Sequence, residues 1–489
     1  MSKKVNSLFA NFALNSIILV LSLVAIISYT SKVLATQDDA WFESFKQTAS
    51  DEQLYRLLYA MPKGGDLHNH ISGSNFSEWW YELATNQSLN GGYRYYVKTA
   101  LKHCQGYGLN QFGSSPSLLL FVNIQHSTFD SLPVCQQSEF TAIEALSEEQ
   151  KEAWMKSIWL DKPHEGREEF FQAHWQRLNA LTANPYIAAE MLVKNMQAFG
   201  AEGLIYLEAQ ANASHFKRPD GSHFPANQVA NIYRNRLAKK DAIDTGVTVR
   251  LQHSIIRFLP HAEQILEQQY RFVNQHRDLY VGLNFVGRED NDKGHPLRFL
   301  PTLRKLRKTL PEVKLSIHAG EVDEPNYHVR DTLLLGADRI GHGLNLITDP
   351  DTMRLMRHNH YLIEINLISN LKLEYINTYA DHPFPEYLRT GIPVALSTDD
   401  RGMWHSNMTD EFFVAVKEFG LTWSEINYLS ENSIKYSFLD KETKSSLLSL
   451  FKKRMETFTK KVKSNRSSHD KSITTGNFIC TYYEICLDD

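Results

Sequence analysis

From about Lys151 to Asp400 the chain alternates short apolar runs with longer stretches of helical pattern. The runs are Gly203-Leu-Ile-Tyr-Leu-Glu208, Val247-Thr-Val-Arg-Leu-Gln252, Leu279-Tyr-Val-Gly-Leu-Asn284, Val313-Lys-Leu-Ser-Ile317, Asp338-Arg-Ile-Gly-His342, Tyr361-Leu-Ile-Glu-Ile365 and Pro393-Val-Ala-Leu-Ser397. With a strand around Asp66 they make eight. Apolar runs of this length, bounded by polar residues, read as buried strands. Helix-length connections between them imply parallel pairing. The fold class predicted is α/β, a (β/α)8 TIM-type barrel with an insertion after strand one and extra terminal helices.

The flanking segments have a different texture. Residues 37–60 carry an amphipathic pattern (Trp41, Phe42, Phe45, Leu54, Leu57, Leu58) that predicts a helix ended by Met61-Pro62. The first strand and its helix occupy 61–85. Residues 86–150, rich in Gly, Ser, Asn and Gln and without a clean period, read as an insertion. The rest of the barrel spans 151–459, with helical patterns at Asp410 to Glu418, Trp423 to Ser433 and Lys441 to Phe458, and a polar tail follows over 460–489. The basic cluster from Lys452 to Lys463 reads as a solvated helix face.

Composition adds two constraints. At 42% apolar and 22% charged, the 489 residues are ordinary for a globular enzyme, and a net charge of −4 gives no general attraction to nucleic acid. Lys3-Lys4, an apolar run from about Ile17 to Ile27, and the small residues of Val33-Leu-Ala35 read as a signal peptide over 1–35, cleaved after Ala35. The run is shorter than the roughly 20 residues a spanning helix needs, so no stable membrane span is expected after its removal. The expected destination is secreted or periplasmic. In such a compartment the four cysteines favour disulfides, Cys104–Cys135 and Cys480–Cys486 by proximity. Five Asn-x-Ser/Thr sites (Asn75, Asn86, Asn212, Asn407, Asn465) would be glycan acceptors on a eukaryotic route, although Asn75 and Asn407 follow strand ends where a glycan would crowd the barrel mouth.

The candidate chemistry sits just past strand ends, where such barrels place active sites. His68-Asn-His70 puts two imidazoles on one strand face, able to hold one ion. Ser316-Ile-His-Ala-Gly-Glu321, Gly341-His342-Gly343 and Ser397-Thr-Asp399-Asp400 end three later strands. A catalytic zinc needs such ligands and an open position for water. The absence of a Cys-x-x-Cys excludes the cytidine-deaminase type of zinc site.

Together, Met61-Pro-Lys-Gly-Gly-Asp-Leu-His-Asn-His70, Ser316 to Glu321, Gly341-His-Gly343, Ile368-Ser-Asn370 and Leu396-Ser-Thr-Asp-Asp400 resemble the adenosine deaminase family of the amidohydrolase superfamily. The strand-one motif, the export signal and the cysteine-bearing insertion are similar to its secreted branch, the adenosine deaminase-related growth factors. The resemblance implies one Zn2+ per chain on His68, His70, His318 and Asp399. It implies Glu321 as proton donor to purine N1, and His342 as base or orienter beside the attacking water. Asp400 would bond that water or the N7 edge, and Gly287 would meet N3 through its backbone N–H. The substrate implied is a small purine nucleoside, adenosine or 2′-deoxyadenosine, and a homodimer is compatible with it.

One departure bears on substrate. Intracellular members of the family follow the second histidine with Leu-Asp-Gly, whose aspartate reaches the ribose 5′-hydroxyl; here the residues are Ile71-Ser72-Gly73. Ser72 can still make one hydrogen bond. Adenine or a 5′-modified nucleoside is therefore an alternative substrate, and an extracellular growth-factor-like ligand acting through the insertion is an alternative role. Glu208 and His253 either line the pocket or pack. Trp79, Trp80, Phe170, Phe171 and Trp175 either roof a purine or belong to the core.

Overall fold

The computed structural model describes residues 37–102, 104, 119–289, 293–322, 324–464 and 473–488. The expected signal peptide and Asn465 lie outside them. Two compact units are resolved by their contacts, a small one containing residues 37–48 and 422–424 and a large one containing the rest. In the small unit, Trp41 and Phe42 of the helix Gln37–Thr48 pack on Trp423, with ring centroids 5.4 and 5.1 Å apart.

The large unit holds one parallel sheet of eight strands in chain order: β1 (Gly64–His70), β2 (Leu204–Gln210), β3 (Thr248–Ile256), β4 (Tyr280–Val286), β5 (Lys314–Ala319), β6 (Arg339–His342), β7 (Leu362–Ile365) and β8 (Val394–Leu396). Neighbours in space are neighbours in sequence, as the TIM-type (β/α)8 barrel requires. The seam between β8 and β1 is made by a residue just past β8. Asp399 N–H donates to His68 O at 2.9 Å, and His70 N–H donates to Asp399 O at 3.2 Å. Every residue of β2 is buried, as expected of a strand packed inside the barrel on one face and under helices on the other. The 17-residue helix Pro185–Ala201 leads into it, with Pro185 in the first turn and the Asn184 side chain accepting from the N–H groups of Tyr186 and Ile187.

Several boundaries differ from the sequence expectation. β3 continues to Ile256 and β4 to Val286; Gln252 and Asn284, where the apolar runs stop, face a polar barrel interior and bond each other there, which hides the strand end. The single helix expected over 37–60 is two, Gln37–Thr48 and Asp51–Ala60. Ser50 is extended and forms a capping box with Gln53, which starts a new helix. Within the insertion, Tyr95–Lys98 lies between Asn123–Gln125 and Phe140–Ala142 in a three-stranded antiparallel sheet. Cys104 and Cys135 are disulfide-bonded, as are Cys480 and Cys486.

The polar tail expected after residue 459 is a structured element over its described part. The helix Lys441–Lys463 is followed by Asn477–Tyr483. This second helix docks on the loop after β8: Asn477 N–H donates to His405 Nδ1 at 3.1 Å, and Phe478 N–H to His405 O at 3.3 Å. Among the described residues no helix is long and apolar enough to cross a membrane.

Candidate metal centre and catalytic site

Four expected ligands meet at one point. His68 Nε2 lies 3.0 Å and His70 Nε2 3.1 Å from His318 Nε2. Asp399 Oδ1 stands 3.1 Å from His70 Nε2 and 3.5 Å from His68 Nε2. The surroundings decide where the imidazole protons are. His68 Nδ1 faces the Glu364 carboxylate at 2.7 Å, which can only accept. His318 Nδ1 faces Asn284 Oδ1 at 2.8 Å, and the Asn284 amide is oriented by donating to Gln252 Oε1 at 3.1 Å. Both protons therefore sit on Nδ1, and two Nε2 lone pairs point at each other and at Asp399 Oδ1, which has no hydrogen-bond donor. Such an array is repulsive without a cation at its centre. Three imidazoles and a carboxylate fit a zinc-like divalent ion.

Beneath the cluster the barrel is filled by a polar layer. Ser316 Oγ donates to Glu364, and the Arg339 guanidinium joins Glu364 to Glu208, with Nε on one carboxylate and a terminal nitrogen on the other. Glu208 in turn accepts from Tyr206 at 2.6 Å, from Gln252 at 2.8 Å and from Phe438 N–H at 2.9 Å. The path from His68 through Glu364, Arg339, Glu208, Gln252 and Asn284 returns to His318. Partners of this kind orient metal-binding imidazoles.

The other expected site residues ring the same space. His342 Nε2 is 3.6 Å from Glu321 Oε1 and 3.9 Å from Asp399 Oδ2, and Ser369 Oγ donates to Asp399 Oδ2 at 2.7 Å. His342 and Asp399 both hold left-handed backbone, φ 63° and 53°, a conformation non-glycine residues seldom adopt and one that clusters at functional sites. Burial raises the Glu321 pKa well above the usual range, helped by the charges of Asp399 and Glu289. Burial raises Asp400 in the same way, with Asp399 adding to it. Gly73 abuts the Asp400 carboxylate so closely that a Cβ there would overlap it. The turn bearing Ser72 is thereby pinned beside Asp400. Gly287 follows β4 at φ +95°, where a Cβ would lie 2.7 Å from the Phe258 ring.

The family assignment rests on the region containing most of these groups. The adenosine deaminase family model matches residues 141–454. The chain belongs to the adenosine deaminase family. The matched region begins after β1, so His318, Glu321, His342, Asp399 and Asp400 fall inside it and His68 and His70 outside. An adenine deaminase of Chelativorans sp. (strain BNC1) is 29% identical over 274 residues, 54% of this chain and 78% of that one. The N6-methyl-AMP deaminase-L of Xenopus laevis is 26% identical over 311 residues, 60% of this chain and 87% of that one. The fold is shared with a zinc-bound amidohydrolase from Burkholderia ambifaria, at TM-score 0.62 and 17% identity, covering 85% of this chain and 96% of the other.

Other groups stand apart from the cluster. Glu208 belongs to the layer below it. His253 accepts from Ala213 N–H at 3.2 Å and packs on Phe272 and Tyr280; both are buried polar packing residues. Trp80 and Phe170 are buried in the core. The Asn75 and Asn407 side chains are also buried and hydrogen-bonded.

One arrangement was not apparent from the sequence. Glu289 accepts from Gly320 N–H at 3.0 Å, Glu321 N–H at 3.2 Å and His328 Nδ1 at 2.8 Å. Burial would raise its pKa, but the His328 hydrogen bond and the Arg257 charge hold it down at about 2. Arg257, itself buried, donates to His318 O and Phe285 O. The turn from His318 to Glu321 is therefore gripped at both ends by oppositely charged side chains. The only hint in the sequence is an acidic residue two positions past Gly287.

Proposed function

We propose that this protein is a zinc-dependent aminohydrolase of adenosine or 2′-deoxyadenosine, yielding the inosine product and ammonia. The observation that carries the reading is the set of lone pairs on His68, His70, His318 and Asp399 aimed at one point, with Glu321 and His342 beside it. Those four residues would hold the ion. Bound zinc supplies Lewis acidity, which brings the pKa of water from about 15.7 to about 7.

The chain's own groups bind and move protons. Glu321, kept protonated by burial, donates to purine N1 and makes C6 electrophilic. His342 stands beside the water and orients it. Asp400 takes a hydrogen bond from that water or meets the N7 edge, and Gly287 N–H faces N3. The water oxygen bonds to C6; of the two protons that water gives up, one replaces the proton Glu321 gave to N1 and the other goes to the 6-amino group, the C6–N bond breaks, and the amine leaves as ammonia. The test is the ultraviolet shift from adenosine to inosine with purified, zinc-replete protein. Absence of turnover on adenosine, 2′-deoxyadenosine and adenine alike overturns the reading. Glu321→Gln is expected to keep one zinc per chain and lose about 10³-fold in kcat.

A second reading keeps this chemistry and changes the substrate to adenine or a 5′-modified nucleoside. Ser72, where intracellular members carry aspartate, favours it, as do relatives named adenine deaminase and N6-methyl-AMP deaminase. Rates on adenosine, 5′-deoxyadenosine and adenine separate the two, since only the first reading carries a penalty for the missing 5′-hydroxyl. Export to an oxidising compartment belongs to the proposal, supported by the two disulfides.

A further inference from the structure

On the side of His342 away from the metal cluster lies a second buried histidine, His382, in the turn before the helix Phe384–Thr390. Its Nδ1 accepts from the Phe384 backbone N–H at 3.1 Å. A backbone N–H has no alternative orientation, so His382 Nδ1 is bare and its proton sits on Nε2. Burial holds the ring neutral, with a pKa lowered to about 3. His382 Nε2–H then donates to Asn370 Oδ1 at 3.1 Å. That contact orients the Asn370 amide and turns its Nδ2 toward His342 Nδ1, 3.3 Å away. Asn366 Nδ2 approaches the same nitrogen at 3.3 Å. Facing two amide donors, His342 Nδ1 accepts.

The His342 proton is thereby placed on Nε2, a buried atom without a hydrogen-bond partner among the described residues, pointing into the space between Glu321 and Asp399. This is the opposite tautomer to His68 and His318, whose protons are drawn to Nδ1 by Glu364 and Asn284. Although His342 lies among His68, His318 and Asp399 closely enough to be a fourth metal ligand, an Nε2 that carries a proton cannot ligate. His70 completes the set instead.

We propose that His382 is a positioning residue which, through Asn370, fixes His342 in the Nε2–H tautomer, so that His342 offers a hydrogen-bond donor to the oxygen that adds to the purine. The inference rests on the proposed hydrolytic function, and it narrows the two roles open to His342: it reaches the reacting oxygen as a donor and orienter, not as a base.

The test uses the zinc-loaded full chain, selectively 15N-labelled at histidine, and two-bond 15N–1H ring correlations. The wild type is expected to show His342 protonated on Nε2 and bare on Nδ1. Asn370→Asp presents a carboxylate to both rings, so it should place a proton on His342 Nδ1 and lower kcat by about 10²-fold or more, in line with other wrong-tautomer variants. His382→Met removes the Asn370 anchor and should give mixed tautomers with kcat down about tenfold, at nearly unchanged KM. His382→Gln can accept from Phe384 N–H and donate to Asn370, and is expected to restore both tautomer and rate. A wild-type ring protonated on Nδ1 overturns the proposal. So does a His382→Met variant that keeps the Nε2–H tautomer and full kcat. Should either variant fail to fold, the wild-type spectrum and the His382→Gln variant still decide. The spectrum needs no substrate, so an expected tautomer in a protein inactive on every purine would sink the functional reading alone.

Discussion

Two adjacent levels of the barrel treat buried polar atoms in opposite ways. In the lower one, both oxygens of Glu208 and Glu364 and all three guanidinium nitrogens of Arg339 have partners. One level higher, His342 Nε2, Asp399 Oδ1 and Asp400 Oδ1 have none among the described residues. Leaving a buried polar atom unpaired costs about 1–3 kcal/mol. A fold that satisfies one layer fully and leaves three atoms of the next aimed at a shared space is holding them for something that is not protein.

The contrast can be broken from above or from below. The largest effect is expected from the mouth: Asp399→Ala should drop zinc content to background in equilibrium dialysis and abolish turnover, and dialysis of the wild type against a chelator should do the same, reversibly on adding zinc. From the lower level, Glu364→Gln removes the acceptor that holds His68 Nδ1–H and half of the charge facing Arg339. Zinc affinity measured against a chromophoric chelator should fall about 10–100-fold, with a lower Tm. If affinity is unchanged, the lower layer is mere filling. The grip on the His318 to Glu321 turn is a smaller lever. Glu289→Gln offers one acceptor oxygen to three donors, and should cost about 1–3 kcal/mol of stability and about tenfold in kcat while zinc content holds. Smallest is Ser72→Asp, beside Asp400. It should lower KM for adenosine a few-fold and leave adenine unaffected; an equal change on both substrates would mean the side chain acts through Asp400 and not on a sugar.

Much of this was legible in the sequence, for a definite reason. In a parallel barrel each apolar run ends in the polar residues of the active face, so His68-Asn-His70, His318 to Glu321, Gly341-His-Gly343 and Asp399-Asp400 announce both the strands and the candidate site that gathers past their ends. The partners that tune the site were not legible. Glu364 and Arg339 sit inside apolar runs one side chain wide, and nothing one-dimensional distinguishes a charge pointing into a barrel from one pointing out. Glu289 and His382 act through backbone N–H groups distant in sequence or in turns without a motif. The C-terminal segment looked polar because its few apolar anchors, Phe478 and Tyr483 among them, are spaced for one short helix docked on His405 and Phe413.

The seam residue has a consequence for how the molecule assembles. Asp399 would contribute a ligand oxygen through its side chain, and it joins β8 to β1 through its backbone, roughly 330 residues along the chain from His68. The proposed metal set would therefore be incomplete until the first and last strands have met, and a chain stalled with its barrel open would lack the carboxylate. A cation bound at this point acts as a clasp on the longest loop in the fold, favouring the closed barrel over partly assembled states by mass action. Zinc uptake by this protein would then report the end of folding, not an early event in it.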